Sequence, residues 1–223
     1  VMHFKGRKLA VTVCEDIWNL GDNPMYRVCP MDQLMPGQPD IMINLSASPF
    51  DYTHIQDRKT AIQKNVGKYK IPMVYCNTVG AQTDLVFDGG SVVFDRDGKL
   101  IAEAAYFAED MITVDWLPDG SFAGTGITEP DLARVNHAVY DANLNTDRIH
   151  QAIIMGIQDY FNKMGFQKAI IGSSGGVDSA VTIALACEAL GPENVTTLLL
   201  PSQFSTGHSV DDAVQLSKNL GNP

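Results

Sequence analysis

Three short apolar runs of strand length constrain this chain most: "KLAVTVC" at 8–14, "DIMINLS" at 40–46 and "PMVYCNT" at 72–78. Each is brief and β-rich enough for a strand covered on both faces. Between the second and third, "THIQDRKTAIQKNVGKYK" repeats Ile55, Ile62, Val66 and Tyr69 at helical spacing, with Lys, Arg, Gln and Asp on the other face. Strand, helix, strand predicts a layered α/β sheet. Next, "SVVFDRDGKLIAEA" sets Asp-Gly between alternating runs, which predicts a hairpin, and "MITVDW" at 111–116 reads as one more strand.

Residues 117 to 145 change character, being rich in Gly, Pro, Thr, Asp and Asn with little periodicity. This predicts domains at 1–117 and 146–223 joined by a linker at 118–145. The second domain opens with a helix from about Thr146 to Met164, its stripe formed by Ile149, Ile153, Ile157, Tyr160 and Phe161. "KAIIG" is then a strand. "VDSAVTIALACEALGP" is a helix apolar nearly all round, expected to be buried and stopped by Gly191 and Pro192. "NVTTLLLPS" is another strand, and Ser209 with Asp212 forms a capping box that starts a helix ending at Gly221.

Charge narrows the partners. Sixteen basic residues against 26 acidic ones give a net charge of -10, with no Lys/Arg-rich run to track a phosphate backbone. Nucleic acid and anionic membrane are therefore not expected. No apolar stretch has transmembrane length, and nothing has the form of a signal peptide. Cys14, Cys29, Cys76 and Cys187 show neither paired nor metal-finger spacing, so a reducing cytoplasm is expected. His54, His137, His150 and His208 lack partners at ligand spacing and read as surface residues. The chain opens on Val1 and closes on Asn222 and Pro223, which reads as truncation at both ends.

"IIGSSGGVDSAV" at 170–181 carries a strand through a glycine turn into a helix. Glycines let the backbone approach an oxyanion, and the helix start offers free N–H groups. It lacks the Gly-Lys-Ser/Thr ending of a Walker A loop and does not fit G-x-G-x-x-G. Asp178 beside a polyphosphate needs a cation between them, so it reads as a Mg2+ ligand. The plainer alternative is an ordinary strand-to-helix turn. The string Ser174-Gly175-Gly176-Val177-Asp178-Ser179 resembles the pyrophosphate loop of the N-type ATP pyrophosphatases. That resemblance implies a Rossmann-like, parallel-sheet domain of the adenine-nucleotide α-hydrolase type, and adenylation of a carbonyl oxygen by ATP. "LLLPSQFSTGHSVDDAVQLSKNLG" is similar to NAD synthetases, where the strand end lies beside the adenine, implying ATP contacts at Pro201 and Ser202.

"VTVCEDIW" places Cys14 at a strand end. A lone cysteine is most simply a small buried hydrophobe. Together with "INLSASPF" and "VYCNTVGAQTDLVFDGGSVVFDRDG", however, it resembles the nitrilase-like glutaminase domain of glutamine-dependent NAD synthetases, over residues 8–116. The resemblance implies the C-terminal part of an αββα sandwich, with Cys14 attacking the glutamine side-chain amide to form a thioester and release ammonia. It also implies that Glu15 and Ser48 position the α-amino group and that Arg58 pairs with the α-carboxylate; Arg58 as a solvated helix residue is the alternative. The family's lysine and glutamate base lie upstream of the cysteine, and Lys5 and Lys8 are too near Cys14 to replace that lysine. Glu15 and Asp16 would oppose thiolate formation. Asp88, Gly89 and Gly90 read as a structural turn, and Cys29, Cys76 and Cys187 as core.

The implied reaction is amidation of deamido-NAD, with glutamine, ATP and Mg2+, in a homo-oligomer. Another amidotransferase of the same superfamily, or a non-catalytic nucleotide- or glutamine-binding module, are the alternatives.

Overall fold

The computed structural model describes residues 1–20, 26–123, 142–201 and 207–223. His137 and Ser202 lie outside them. The chain divides into two compact units, Val1–Gly80 with Val86–Asn145, and Ala81–Leu85 with Thr146–Pro223.

The first unit is built on a mixed six-stranded sheet. Its strands are β1 (Met2–Phe4), β2 (Arg7–Val13), β3 (Ile41–Ser46) and β4 (Met73–Asn77), with β7 (Val92–Phe94) and β8 (Leu100–Glu103) completing it. They lie in the order β1-β2-β3-β4-β7-β8, and β5 (Val79–Gln82) with β6 (Leu85–Asp88) forms a separate ribbon. The three apolar runs are the parallel centre: Val13 pairs with Leu45 and Leu45 with Cys76, so the carboxyl ends of β2, β3 and β4 meet at one edge. Helices α1 (Pro30–Leu34) and α2 (His54–Tyr69) supply the connections, as parallel neighbours require.

Ala10, Met42, Met73, Tyr75 and Phe94 pack with Met31 of α1 and with Ile62 and Val66 of α2 to make the core. On the other sheet face, Val93, Ile101 and Ala102 pack with Ile112, Val114 and Phe122. The expectation of strands covered on both faces therefore holds only in part. Val13 is 60% exposed and Leu45 50%, and Cys76, expected in the core, is exposed beside them. Period-two alternation separates these residues from the buried Thr12, Asn44 and Tyr75. Cys29 and Cys187 are buried as expected.

The Asp-Gly hairpin forms between β7 and β8. Asp95 Oδ1 accepts the amides of Asp97 and Lys99, and Gly98 takes a positive φ of 81°. Of the strand expected at 111–116, only β9 (Asp115–Trp116) forms, paired with β10 (Phe122–Ala123). Helix α2 begins where Asp51 Oδ1 accepts the Thr53 amide at 2.9 Å. Its polar face differs from expectation: Arg58 and Lys59 are buried, because Asp88 and Glu103 meet them there.

The second unit contains α3 (Ala142–Met164), β11 (Ala169–Gly172), α4 (Val177–Leu190), β12 (Val195–Leu198) and α5 (Gly207–Leu220). β11 and β12 pair in parallel, Ala169 opposite Val195. Ile183, Ala186 and Cys187 of α4 pack on Val195, Ala169 and Ile171. Helix α4 is not buried all round, since Val177 is 74% exposed and Val181 51%; only its sheet-facing stripe finds partners among the described residues. Helix α3 starts earlier than expected. Helix α5 spans Gly207–Leu220, which puts Ser209 inside its first turn rather than at its start; Gly221 ends it with φ 75°.

Candidate functional site

The residues expected to carry chemistry fall into two groups, one in each unit. In the first unit, Cys14 opens a 3-10 turn, Cys14–Ile17, directly after β2. It takes φ 46°, a conformation uncommon for non-glycine residues, and it is half-buried at the carboxyl edge of the parallel strands. Local bonds hold it there. Asp16 Oδ2 accepts the Val13 amide at 2.8 Å, and Asn65 of α2 donates to the Ile17 carbonyl at 2.8 Å. Asn44 Nδ2 donates to Thr12 Oγ1 at 3.0 Å and to the Cys14 carbonyl at 3.4 Å, while its Oδ1 accepts from Ser46 Oγ at 2.6 Å.

This buried polar row continues across the edge. Asn77 Oδ1 accepts the Ser48 amide at 3.0 Å, and its Nδ2 donates to Asp88 Oδ1 and to the Gly89 carbonyl. Arg58 completes it, with Nη1 donating to Asp88 Oδ1 at 2.7 Å and Nη2 to Oδ2. Arg58 is 3% exposed and Asp88 fully buried. Burial alone would lower the basicity of Arg58, but the Asp88 hydrogen bonds and charge more than offset it and raise it. The structure thus gathers Ser48 and Arg58 into one network through Asn77 and Asp88, ties the Cys14 backbone to the neighbouring Asn44 cluster, and leaves Glu15 exposed on the turn. The Arg58 fork that suited a carboxylate ligand is occupied by Asp88. Asp88 itself sits in the turn that "FDGGS" suggested, where Gly90 has φ 64° and any Cβ would strike the Tyr106 ring.

Thr12, Asn44, Tyr75 and Asn77 went unnoticed in the sequence. The available signal was a polar residue near the end of each apolar run, on the side that alternation assigns to the helix-facing core.

In the second unit, β11 leads through Ser173 to Gly176 into α4. Gly175 has φ 79°, and a Cβ there would collide with the Ser209 carbonyl oxygen, so the first turn of α5 packs directly on the loop. Ser174 Oγ and Ser179 Oγ stand 3.0 Å apart, and Ser174 Oγ accepts the Gly176 amide at 3.2 Å. Val177, Asp178 and Pro201 are exposed. These hydroxyls brace an open turn at the helix start, a geometry suited to an anion. Among the described residues no three His, Cys, Asp or Glu side chains cluster as a metal site. A single exposed carboxylate fits a Mg2+ held mainly by substrate phosphates rather than by a protein cage.

A family model, NAD synthase, matches residues 149–223. The glutamine-dependent NAD(+) synthetase of Synechocystis sp. is 37% identical over 222 residues, covering 98% of this chain and 38% of the relative. By sequence, the chain is similar to part of the glutamine-dependent NAD(+) synthetases. The Thermotoga maritima synthetase is 35% identical over 237 residues, covering 96% of this chain and 40% of the relative. A solved structure of the Acinetobacter baumannii glutamine-dependent NAD+ synthetase in complex with ADP superposes with a TM-score of 0.82 at 29% identity, covering 99% of this chain and 38% of that one. The α/β fold is thus one that NAD synthetases share, and this chain spans well under half the length of these relatives. No helix among the described residues is long and apolar enough to cross a membrane.

Proposed function

We propose that the full-length protein carrying these residues amidates deamido-NAD to NAD, using ATP and ammonia released from glutamine. One observation carries the reading: a single chain, aligned almost end to end with glutamine-dependent NAD synthetases, holds a strained cysteine at a sheet edge and a serine-braced glycine loop at a helix start.

Cys14 is the nucleophile in this reading. Its sulfur attacks the glutamine amide carbon, ammonia leaves, and water frees the thioester as glutamate. Glu15, on the turn after β2, and Ser48, just after β3, position the α-amino group in this reading. Arg58, already bonded to Asp88, uses any remaining N–H on the carboxylate in this reading. In the second unit, the loop amides and the Ser174 and Ser179 hydroxyls hold the pyrophosphate leaving group, while Pro201 and Ser202 flank the adenine. Mg2+ at Asp178 would neutralise phosphate charge. ADP in the Acinetobacter baumannii structure supports an adenine nucleotide as ligand. The protein acts in the cytoplasm as a homo-oligomer in this reading.

Cys14→Ala in the full-length protein tests the assignment. Glutamine-driven NAD formation is expected to vanish while ammonium-driven formation persists. Equal loss of both would refute this division of labour, and AMP formation only with xanthosine monophosphate or aspartate as acceptor would refute the substrate.

A further inference from the structure

The 3-10 turn that carries Cys14 is gripped from outside at both ends. At its start, Asn44 Nδ2 of β3 donates to the Cys14 carbonyl at 3.4 Å; at its end, Asn65 Nδ2 of α2 donates to the Ile17 carbonyl at 2.8 Å. Carbonyls in the last turn of a helix lack partners within it, so that of Ile17 needs a donor from elsewhere. Both carboxamides are fully buried. Each takes a place that its element's pattern gives to an apolar residue: Asn44 follows Met42 on the core side of β3, and Asn65 lies beside Ile62 and Val66 on the core side of α2.

Neither placement is explained by the element that holds it. Asparagine is a poor residue for a helix interior, and Asn65 Oδ1 is buried with no hydrogen-bond partner among the described residues, so Asn65 costs α2 stability. Its amino group otherwise reaches only the Ala61 carbonyl of its own helix, at 2.9 Å. Asn44 is aimed by its neighbours. It lies opposite Thr12 in the strand register, its Nδ2 also donates to Thr12 Oγ1 at 3.0 Å, and its Oδ1 accepts from Ser46 Oγ at 2.6 Å. With both ends of the amide engaged, the donor towards Cys14 has one orientation. What the two grips hold is Cys14 at φ 46°, a backbone state that non-glycine residues keep only where the surroundings over-determine it.

We propose that Asn44 and Asn65 are positioning residues for the nucleophile, fixing the aim of the Cys14 sulfur through the carbonyls at the two ends of its turn. Neither touches the reacting atoms. Releasing either carbonyl lets Cys14 relax towards an ordinary backbone conformation, which swings its side chain while leaving the thiol chemically unchanged. A displacement of about 1 Å is enough to cost on the order of 10²-fold in rate. The inference rests on Cys14 being the nucleophile.

Asn65→Leu in the full-length protein is the first test, and Asn44→Ala, at the other end of the turn, is the second should the first not fold. The readouts, taken well below the melting temperature, are glutamine hydrolysis, ammonium-driven NAD formation, and iodoacetamide alkylation of the Cys14 and Cys29 peptides followed by mass spectrometry. Aim matters for attack on a bound amide and little for a small reagent in solution. With glutamine, kcat is therefore expected to fall at least about tenfold and KM to change less than about threefold, while Cys14 alkylation and ammonium-driven formation stay within about twofold of the parent. Cys29, buried in the same core as Ile17, reports on the fold and should stay unreactive. An unchanged kcat in a folded variant would overturn the inference alone. So would a fall in kcat that comes with a reactive Cys29, which marks a loosened core rather than a lost aim. Glutamine use that survives Cys14→Ala would instead overturn the functional reading beneath it.

Discussion

Arg58 and Asp88 show how much one residue pair commits this fold. Both are removed from water, and each is the other's compensation, so deleting one leaves an unpaired buried charge. Arg58→Ala should cost about 3–5 kcal/mol of stability in urea titration; a loss below about 1 kcal/mol would mean the pair is solvated. Lys59, the next residue, repeats the arrangement with Glu103 at 2.6 Å. Neither pairing was legible in the sequence, because two adjacent cations on a helix look like a solvated face until a carboxylate from a distant strand is known to sit opposite. The positions of Cys14 at a strand end and of Asp178 in the first turn of a helix were legible, since a compact string of residues marks where each element stops or starts. The role of Arg58 remains the least direct to read, as its spacing suited a ligand and its side chain has an internal partner.

At the scale of elements, the parallel centre of the sheet followed from three apolar runs and one amphipathic helix, because period and length are local properties. What local pattern missed were starts and faces. Helix α5 begins at Gly207 rather than at Ser209, and its first turn instead supplies the wall against which Gly175 packs. Gly175→Ala should therefore displace that turn as well as strain the loop, costing at least about 1 kcal/mol from the left-handed backbone alone; ATP-dependent pyrophosphate release should fall further than stability does. The start of α2 allows a pH test. Asp51 is held below the ordinary carboxylate range, first by the Thr53 amide and then by its hydroxyl. A depressed folded value means the contribution is present above the unfolded value and is lost as pH falls through the folded one. Asp51→Ala should lower the melting temperature near neutral pH, and the gap between variant and parent should narrow as pH drops below about 4.

For the whole molecule, the two units assign the two halves of the proposed reaction to separate residues. Asp178→Asn should abolish pyrophosphate release with either nitrogen source and leave glutamine hydrolysis at Cys14 measurable, the mirror image of Cys14→Ala. Simultaneous loss of hydrolysis would show that the sites do not act as separable centres. The open side of the first unit's sheet has a further consequence for such work. Of the four thiols, Cys29 and Cys187 are enclosed, while Cys76 is exposed on the strand face opposite Tyr75 and Cys14 sits half-covered at the strand edge. A thiol-reactive dye added to this protein would therefore tag two places at once, and its total incorporation would say little about the nucleophile. A Cys76→Ser background turns the same dye into a reporter of one sulfur.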